Sequence, residues 1–350
     1  MKIRLRNIIS HAVLPILLVL LGALYSCHKQ EVFDNDPMGN FNALWTAIDE
    51  NYCFFEYKDI DWNTVGEKYR ARVLPNMTPR ELFSLCSDMI NELKDGHTNL
   101  ISGWDISYYR FWDQFPQNYD KRIVEQNYLN YNFKTSSGIE YMVMPNNFGY
   151  MHYGDFSVVI GEGNLDNILF ELSGCDGLII DVRDNGGGFL TNVDRIIGRF
   201  IDKEIYAGAI SHKTGPGHND FSEPYGYSFK PAPAGRIRFV KPVVILTNRS
   251  SYSATNNFVS IMQYRDNVRI VGDTTGGGSG MPFTSELPNG WLIRFSSCSI
   301  TDPMGKITEF GVEPSQGCKV DITPQDIAKG KDPILEKGFE VLQQMINKNI

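Results

Sequence analysis

The chain has 350 residues, 42% of them hydrophobic and 21% charged, an ordinary balance for a folded protein of one or two domains. Its formal net charge of −8 argues against nucleic acid as a partner and against attachment to a membrane through a basic patch. Six scattered cysteines without any C-x-x-C spacing make neither a disulfide framework nor a zinc site, so buried thiols are the expectation.

The N-terminus departs from this average. "MKIRLRN" carries Lys2, Arg4 and Arg6, and the "AVLPILLVLLGALYS" segment beyond it is apolar and uncharged. A basic head, an apolar run of this length and a small residue at its end read as an export signal rather than a spanning helix. "LYSC", Leu24 to Cys27, looks like a bacterial lipobox. It implies a signal peptide over 1–26, lipidation at Cys27, and a cell-envelope protein, periplasmic or surface-exposed, held to the membrane by its lipid. A plain secretory signal with an incidental cysteine is the alternative, and it also places the chain outside the cytoplasm. Polar and acidic residues then form a tether over 27–40.

Residues 41–100 read as a helical subdomain. "TPRELFSLCSDMINEL" opens with a capping box, Thr78 and Glu81, and puts Pro79 at the first helical position. Leu82, Cys86, Met89, Ile90 and Leu93 share its apolar face. The helix ends at "KDGHTNL", a turn holding His97. Residues 101–147 follow as an aromatic-rich connection: nine of the 28 residues from Ile106 to Phe133 are Phe, Tyr or Trp. They either line or cover a cleft, or make a small aromatic core of their own.

From Phe148 strands and helices alternate. "FGYMHYGDF", "GLIIDVRD", "PVVILTN" and "VRIVGD" read as strands, and "NLDNILFELSG", "FLTNVDRIIGRFI" and "ATNNFVSIMQ" as helices. That order predicts an α/β fold with a parallel sheet covered by helices, a core over 148–320. Lys203 to Arg236 reads as a looser Gly/Pro-rich region, "ELPNGWLIRF" as a hairpin about Asn289-Gly290, and 321–350 as a C-terminal helical segment.

Two stretches carry chemistry. In "LTNRSSYSATNNF" Ser253 falls where a strand passes into a helix. Its hydroxyl there stands off the sheet edge, beside the free N–H groups of the first helical turn. The same position suits an ordinary N-cap serine. In "DVRDNGGGFL" three glycines at the end of a buried strand let backbone approach a ligand closely, or simply make a tight turn. No G-x-G-x-x-G or Lys-Ser/Thr accompanies them, which excludes a phosphate-binding loop.

Together "GYMHYGDF", "DVRDNGGG", "SSYSAT" and "EFGVEP" resemble the C-terminal processing (tail-specific) serine peptidases and their tricorn core protease relatives, over roughly Phe148 to Pro314. The resemblance implies a ClpP/crotonase-like spiral of ββα units and a serine-type peptidase. It makes Ser253 the nucleophile and the N–H groups of Ala254 and Gly187, with Gly188 second, the oxyanion hole. No lysine lies between Ser253 and Ile300, and Gly278 stands where the Ser-Lys branch has its base. The tricorn-like branch uses a histidine instead, which implies His97 as general base, with an ordinary pKa of about 6.5. Glu309, before the "GVEP" segment, is implied as the carboxylate orienting it, with Glu313 as fallback and Thr98 as a relay hydroxyl. The 50 residues from Thr98 to Asn147 are too few for a full PDZ domain. The expected activity is peptide-bond hydrolysis on a peptide or protein substrate with no cofactor and no metal. His212 and His218 in "HKTGPGHND" belong to a polar loop. A non-catalytic module of the same fold, binding a peptide or an apolar ligand, is the alternative.

Overall fold

A computed structural model describes residues 32–348. The expected signal peptide, Cys27 and the first part of the tether lie outside the described residues. Helix α1 (Pro37–Asn51) begins inside the segment expected as tether, because Asp36 caps it and Pro37 starts it; Asn40 is already buried. Helices α2 (Phe55–Lys58), α3 (Trp62–Arg70) and α4 (Pro79–Asn91) complete the helical front. Both halves of the Thr78–Glu81 capping box form at α4. Phe41, Leu44, Trp62, Phe83 and Met89 share a core there with Ile293 and Phe295, so the helices are docked on a sheet.

Eleven strands are described: β1 (Asn99–Ile101), β2 (Lys134–Ser136), β3 (Ile139–Val143), β4 (Phe148–Tyr153), β5 (Gly177–Asp181), β6 (Ile205–His212), β7 (Tyr225–Phe229), β8 (Val243–Thr247), β9 (Val268–Gly272), β10 (Gly280–Glu286) and β11 (Leu292–Ile300). They form two sheets. One runs β2-β3-β4-β5-β8-β9, parallel from β4 onward, and the other runs β1-β11-β6-β7 with β10 paired to β11. The fold is mixed α/β with a helical N-terminal region, the class the sequence predicts.

Strand periodicity explains the unbroken apolar run of β5. Leu178 and Ile180 pack with α5 (Glu162–Leu172), α6 (Leu190–Ile197) and α7 (Ala254–Met262), whereas Ile179 faces α8 (Pro333–Asn347). A strand buried on both faces has no polar alternation to show. Past its end, Arg183 lies fully buried between two carboxylates. Its guanidinium donates to Asp181 at 2.6 and 2.9 Å and to Asp332, the N-cap of α8, at 2.8 Å, under the Tyr119 ring.

Two expectations need correcting. The stretch from Lys203 to Arg236, expected as looser chain, contains a strand pair, β6 with β7, while 213–224 and 230–236 lie outside the strands. The register of the pair breaks at Gly208, whose φ of +136° and approach to the Thr301 carbonyl (an added Cβ would sit 1.9 Å from that oxygen) require glycine. The core sheet also begins earlier than residue 148, since the aromatic segment contributes β2 and β3 to it. Among the described residues no helix is long and apolar enough to cross a membrane.

Candidate functional site

Ser253 stands between β8 and α7 with φ 59° and ψ −120°, a conformation costly for a residue with a Cβ, about 1–3 kcal/mol. Four bonds hold the turn there. Ser253 N–H donates to the Gly277 carbonyl at 2.8 Å, Tyr252 N–H to Asn185 at 3.0 Å, Gly276 N–H to Ser251 at 2.8 Å, and the Ser251 hydroxyl to Val182 at 2.8 Å. The Ser253 hydroxyl makes no capping bond. It lies instead 2.8 Å from Nε2 of His97, a residue 156 positions away.

His97 is held from its own turn. Asp95 accepts the His97 backbone N–H at 2.8 Å and the Thr98 hydroxyl at 3.2 Å. Gly96 leaves room for Tyr252, whose ring lies 4.9 Å from the imidazole. Burial pushes the His97 pKa down to about 4; Asp95 opposes this, while Arg294 and Lys58 add to it. The imidazole is therefore neutral at pH 7 and able to accept a proton at Nε2, with its own proton on Nδ1. That Nδ1 is buried and, among the described residues, the Gly280 backbone is the polar group that favours the charged ring, without a well-formed hydrogen bond.

The carboxylate implied for Nδ1 is engaged elsewhere. Glu309 accepts from Lys58 Nζ at 2.8 Å and from the Ser279 N–H at 2.9 Å, and His97 is not among its partners. Both Glu309 and Lys58 have side chains only 3% exposed. Burial, and then repulsion from Asp95, raises the Glu309 pKa to about 7, against the attraction of Lys58. One ammonium thus serves two buried carboxylates, and Asp95, whose pKa is held below the usual range against its burial by Lys58 and His97, stays ionised. Asp95 is the carboxylate nearer to His97 in bonding terms, through the backbone. Glu313 pairs with Thr274 and Lys319 on the surface, and the Thr98 hydroxyl is directed to Asp95 rather than to His97.

Gly187, at φ +103°, packs so closely on the serine that a Cβ would meet Ser253 Cβ at 2.7 Å. Its N–H, however, donates to the Asn185 side chain at 3.0 Å. Among the described residues the N–H groups of Gly188 and Ala254 find no protein acceptor. Both residues line a cleft of about 310 Å³ that opens on Ser253, with Ser279, Met281 and Arg294 among its other walls. A second hollow of about 160 Å³ is walled by Tyr109, Phe111, Trp112, Tyr252 and Phe310. The aromatic segment therefore lines a cavity at the site. His218 does not meet His212: its ring stacks on Phe55 and bonds Asp49, which docks the polar loop on the helical front.

Residues 147–316 match peptidase family S41, and residues 33–91 match the tricorn protease C1 domain. Over 88% of this chain and 97% of the other, the fold superposes with TM-score 0.82 on the crystal structure of a peptidase candidate from Parabacteroides merdae, at 46% identity. The chain belongs to peptidase family S41. Within it, the carboxy-terminal processing protease CtpB of Bacillus subtilis is 27% identical over 51% of this chain and 36% of its own length. The tricorn protease of Thermoplasma acidophilum is 24% identical over 55% of this chain and 16% of its own length. The chain thus spans well under half of these curated relatives, and the matches to two Chlamydia proteins each cover 20% of theirs.

Reasoning from sequence missed Asp95, Lys58, Tyr252 and Arg294 at this S41 site. Asp95 lies two residues before His97 and Tyr252 directly before Ser253, so the neighbourhood of the histidine and the serine carries a usable signal. Lys58 sits in a four-residue helix 251 positions from Glu309, and no local pattern marks it.

Proposed function

We propose that the chain is an exported, lipid-anchored serine peptidase that hydrolyses peptide bonds through an acyl-enzyme on Ser253, with His97 as general base. The observation that carries this reading is the 2.8 Å contact between His97 Nε2 and Ser253 Oγ, in a buried setting that keeps the ring neutral. As Oγ attacks a carbonyl carbon, its proton passes to Nε2. The oxyanion that forms is met by the free Gly188 and Ala254 N–H groups, the latter at the start of α7 where the helix dipole adds to them. The new imidazolium lies beside ionised Asp95, returns its proton to the leaving amine, and then activates the water that releases the acid. Both proton transfers in this sequence pass through His97, from Ser253 to the leaving amine and then from the attacking water back to Ser253. Membership of family S41 and the resemblance to processing proteases support the peptide substrate; the "LYSC" segment supports the anchor.

Ser253→Ala is expected to abolish both peptide hydrolysis and labelling by a fluorophosphonate, with the fold unchanged by circular dichroism. A native protein that takes no label at Ser253 would favour the binding-module alternative. For the anchor, Cys27→Ser is expected to release the protein from the membrane fraction; unchanged sedimentation with membranes would remove that part of the reading.

A further inference from the structure

We propose, resting on the peptidase reading, that Arg294 binds a carboxylate of the substrate close to the scissile bond. Arg294 lies on β11 and reaches the cleft that Ser253 also lines. Among the described residues lining that cleft it is the one that carries a charge; around it are neutral Asn257, Ser260 and Thr301 and apolar Met281 and Ile300. Its one hydrogen bond among the described residues is to a neutral acceptor, Asn99 Oδ1, at 3.2 Å, which leaves most of a five-donor guanidinium unused by them. Arg249, in contrast, is answered by Asp273 and Asp321, and Arg195 by Glu162. Asp95 is the carboxylate whose charge acts on Arg294, without an ion pair between them, and its oxygens accept the His97 N–H and the Thr98 hydroxyl.

An unanswered cation in a cleft costs desolvation, which a planar, bidentate carboxylate offsets better than any neutral group. Because the cleft is shared with the nucleophile and with the free N–H groups of Gly188 and Ala254, the carboxylate belongs to a substrate residue flanking the bond that is cut. An Asp or Glu side chain and the carboxylate of the chain end offer the same chemistry.

Three tetrapeptides separate these sources: Ala-Ala-Glu-Ala amide, Ala-Ala-Gln-Ala amide and Ala-Ala-Gln-Ala free acid. Calorimetry on the Ser253→Ala protein needs no turnover. At least one carboxylate peptide is expected to bind about 10–100-fold more tightly than the neutral amide, as a hydrogen-bonded charge pair does. Tighter binding of the Glu peptide identifies the side chain, and tighter binding of the free acid identifies the chain end. Adding Arg294→Gln should erase the preference while leaving the neutral amide's affinity within about threefold, a check that the cleft is intact; Arg294→Lys should keep part of it. Equal or unmeasurable binding of all three peptides, or a preference that survives Arg294→Gln, overturns the proposal. Failure of the peptidase reading shows separately, as absence of fluorophosphonate labelling in the protein with Ser253 intact.

Discussion

Ser253 and His97 meet at 2.8 Å with each held in a costly state by its surroundings: the serine by a positive φ, the imidazole by burial that disfavours its charged form. The second has a measurable consequence. A histidine at its ordinary pKa of about 6.5 would lose basicity below neutrality. Here burial disfavours the imidazolium, so the folded pKa of about 4 lies below the unfolded value. The log of kcat/KM against pH should stay level from 7 to 5 and fall with a midpoint near 4; a midpoint near 6.5 would mean the ring is solvated. By the same linkage, His97 makes the fold lose stability as pH falls from the unfolded pKa toward the folded one. Asp95 supplies the compensating negative charge. Asp95→Asn should lower the pKa of the base further and reduce kcat, by at most about tenfold for each unit of base strength lost, with KM little changed.

The Lys58–Glu309 pair gives a second residue-scale prediction with a sign. Removing one partner of a buried pair typically costs about 3–5 kcal/mol because the other is left uncompensated. Glu309, with a pKa already near 7, can escape by taking a proton. Lys58→Met should therefore destabilise the protein more at pH 8 than at pH 6, read from urea midpoints at the two pH values. Equal losses at both would show that Glu309 stays ionised throughout.

At the scale of elements, the site is made by turns rather than by helices or strands. Residues 275–279 bridge the serine turn and Glu309: the Gly277 carbonyl receives Ser253 N–H, and Gly278 N–H donates to the Glu309 carbonyl. Gly277 has φ +81°, and a Cβ on it would sit 1.9 Å from the Glu309 carbonyl oxygen. Gly277→Ala should cost about 1–2 kcal/mol from its backbone conformation alone and depress activity more than stability, because the carbonyl that fixes Ser253 must move. Thermal melts and fluorophosphonate labelling rates on one sample separate the two effects. Elements with strong local signals were legible beforehand. The capping box of α4, the apolar strands β4, β5, β8 and β9, and the Asn289-Gly290 hairpin all stand where their residues predict. β6 and β7 were not, since half-exposed strands interrupted by a glycine bulge present no continuous apolar run.

At the scale of the molecule, Arg183 ties the end of the central strand β5 to the N-terminus of α8, the helix that closes the lower face of the sheet. Asp181 is held ionised by Arg183 against its burial, and the arginine is correspondingly held charged. Arg183→Met leaves two buried carboxylates facing each other and should cost about 3–5 kcal/mol, a large part of the stability of an ordinary domain, measured by guanidinium unfolding. A loss under 1 kcal/mol would mean that α8 is held by apolar contacts alone.

What could be known before folding was local chemistry: a serine at a strand-to-helix junction, glycines where backbone must come close, a histidine in a helix-ending turn, and the order of strands and helices. Periodicity and capping act over a few residues, so they are written in short stretches of chain. The partners of those groups were decided by packing. Lys58 reaches Glu309 across 251 positions and Arg294 comes to stand alone in the cleft, while Gly188 rather than Gly187 keeps a free N–H because Asn185 takes the other. Whether a charge or an N–H is paired depends on which neighbours the fold delivers, and that is a property of three-dimensional proximity that no local pattern encodes.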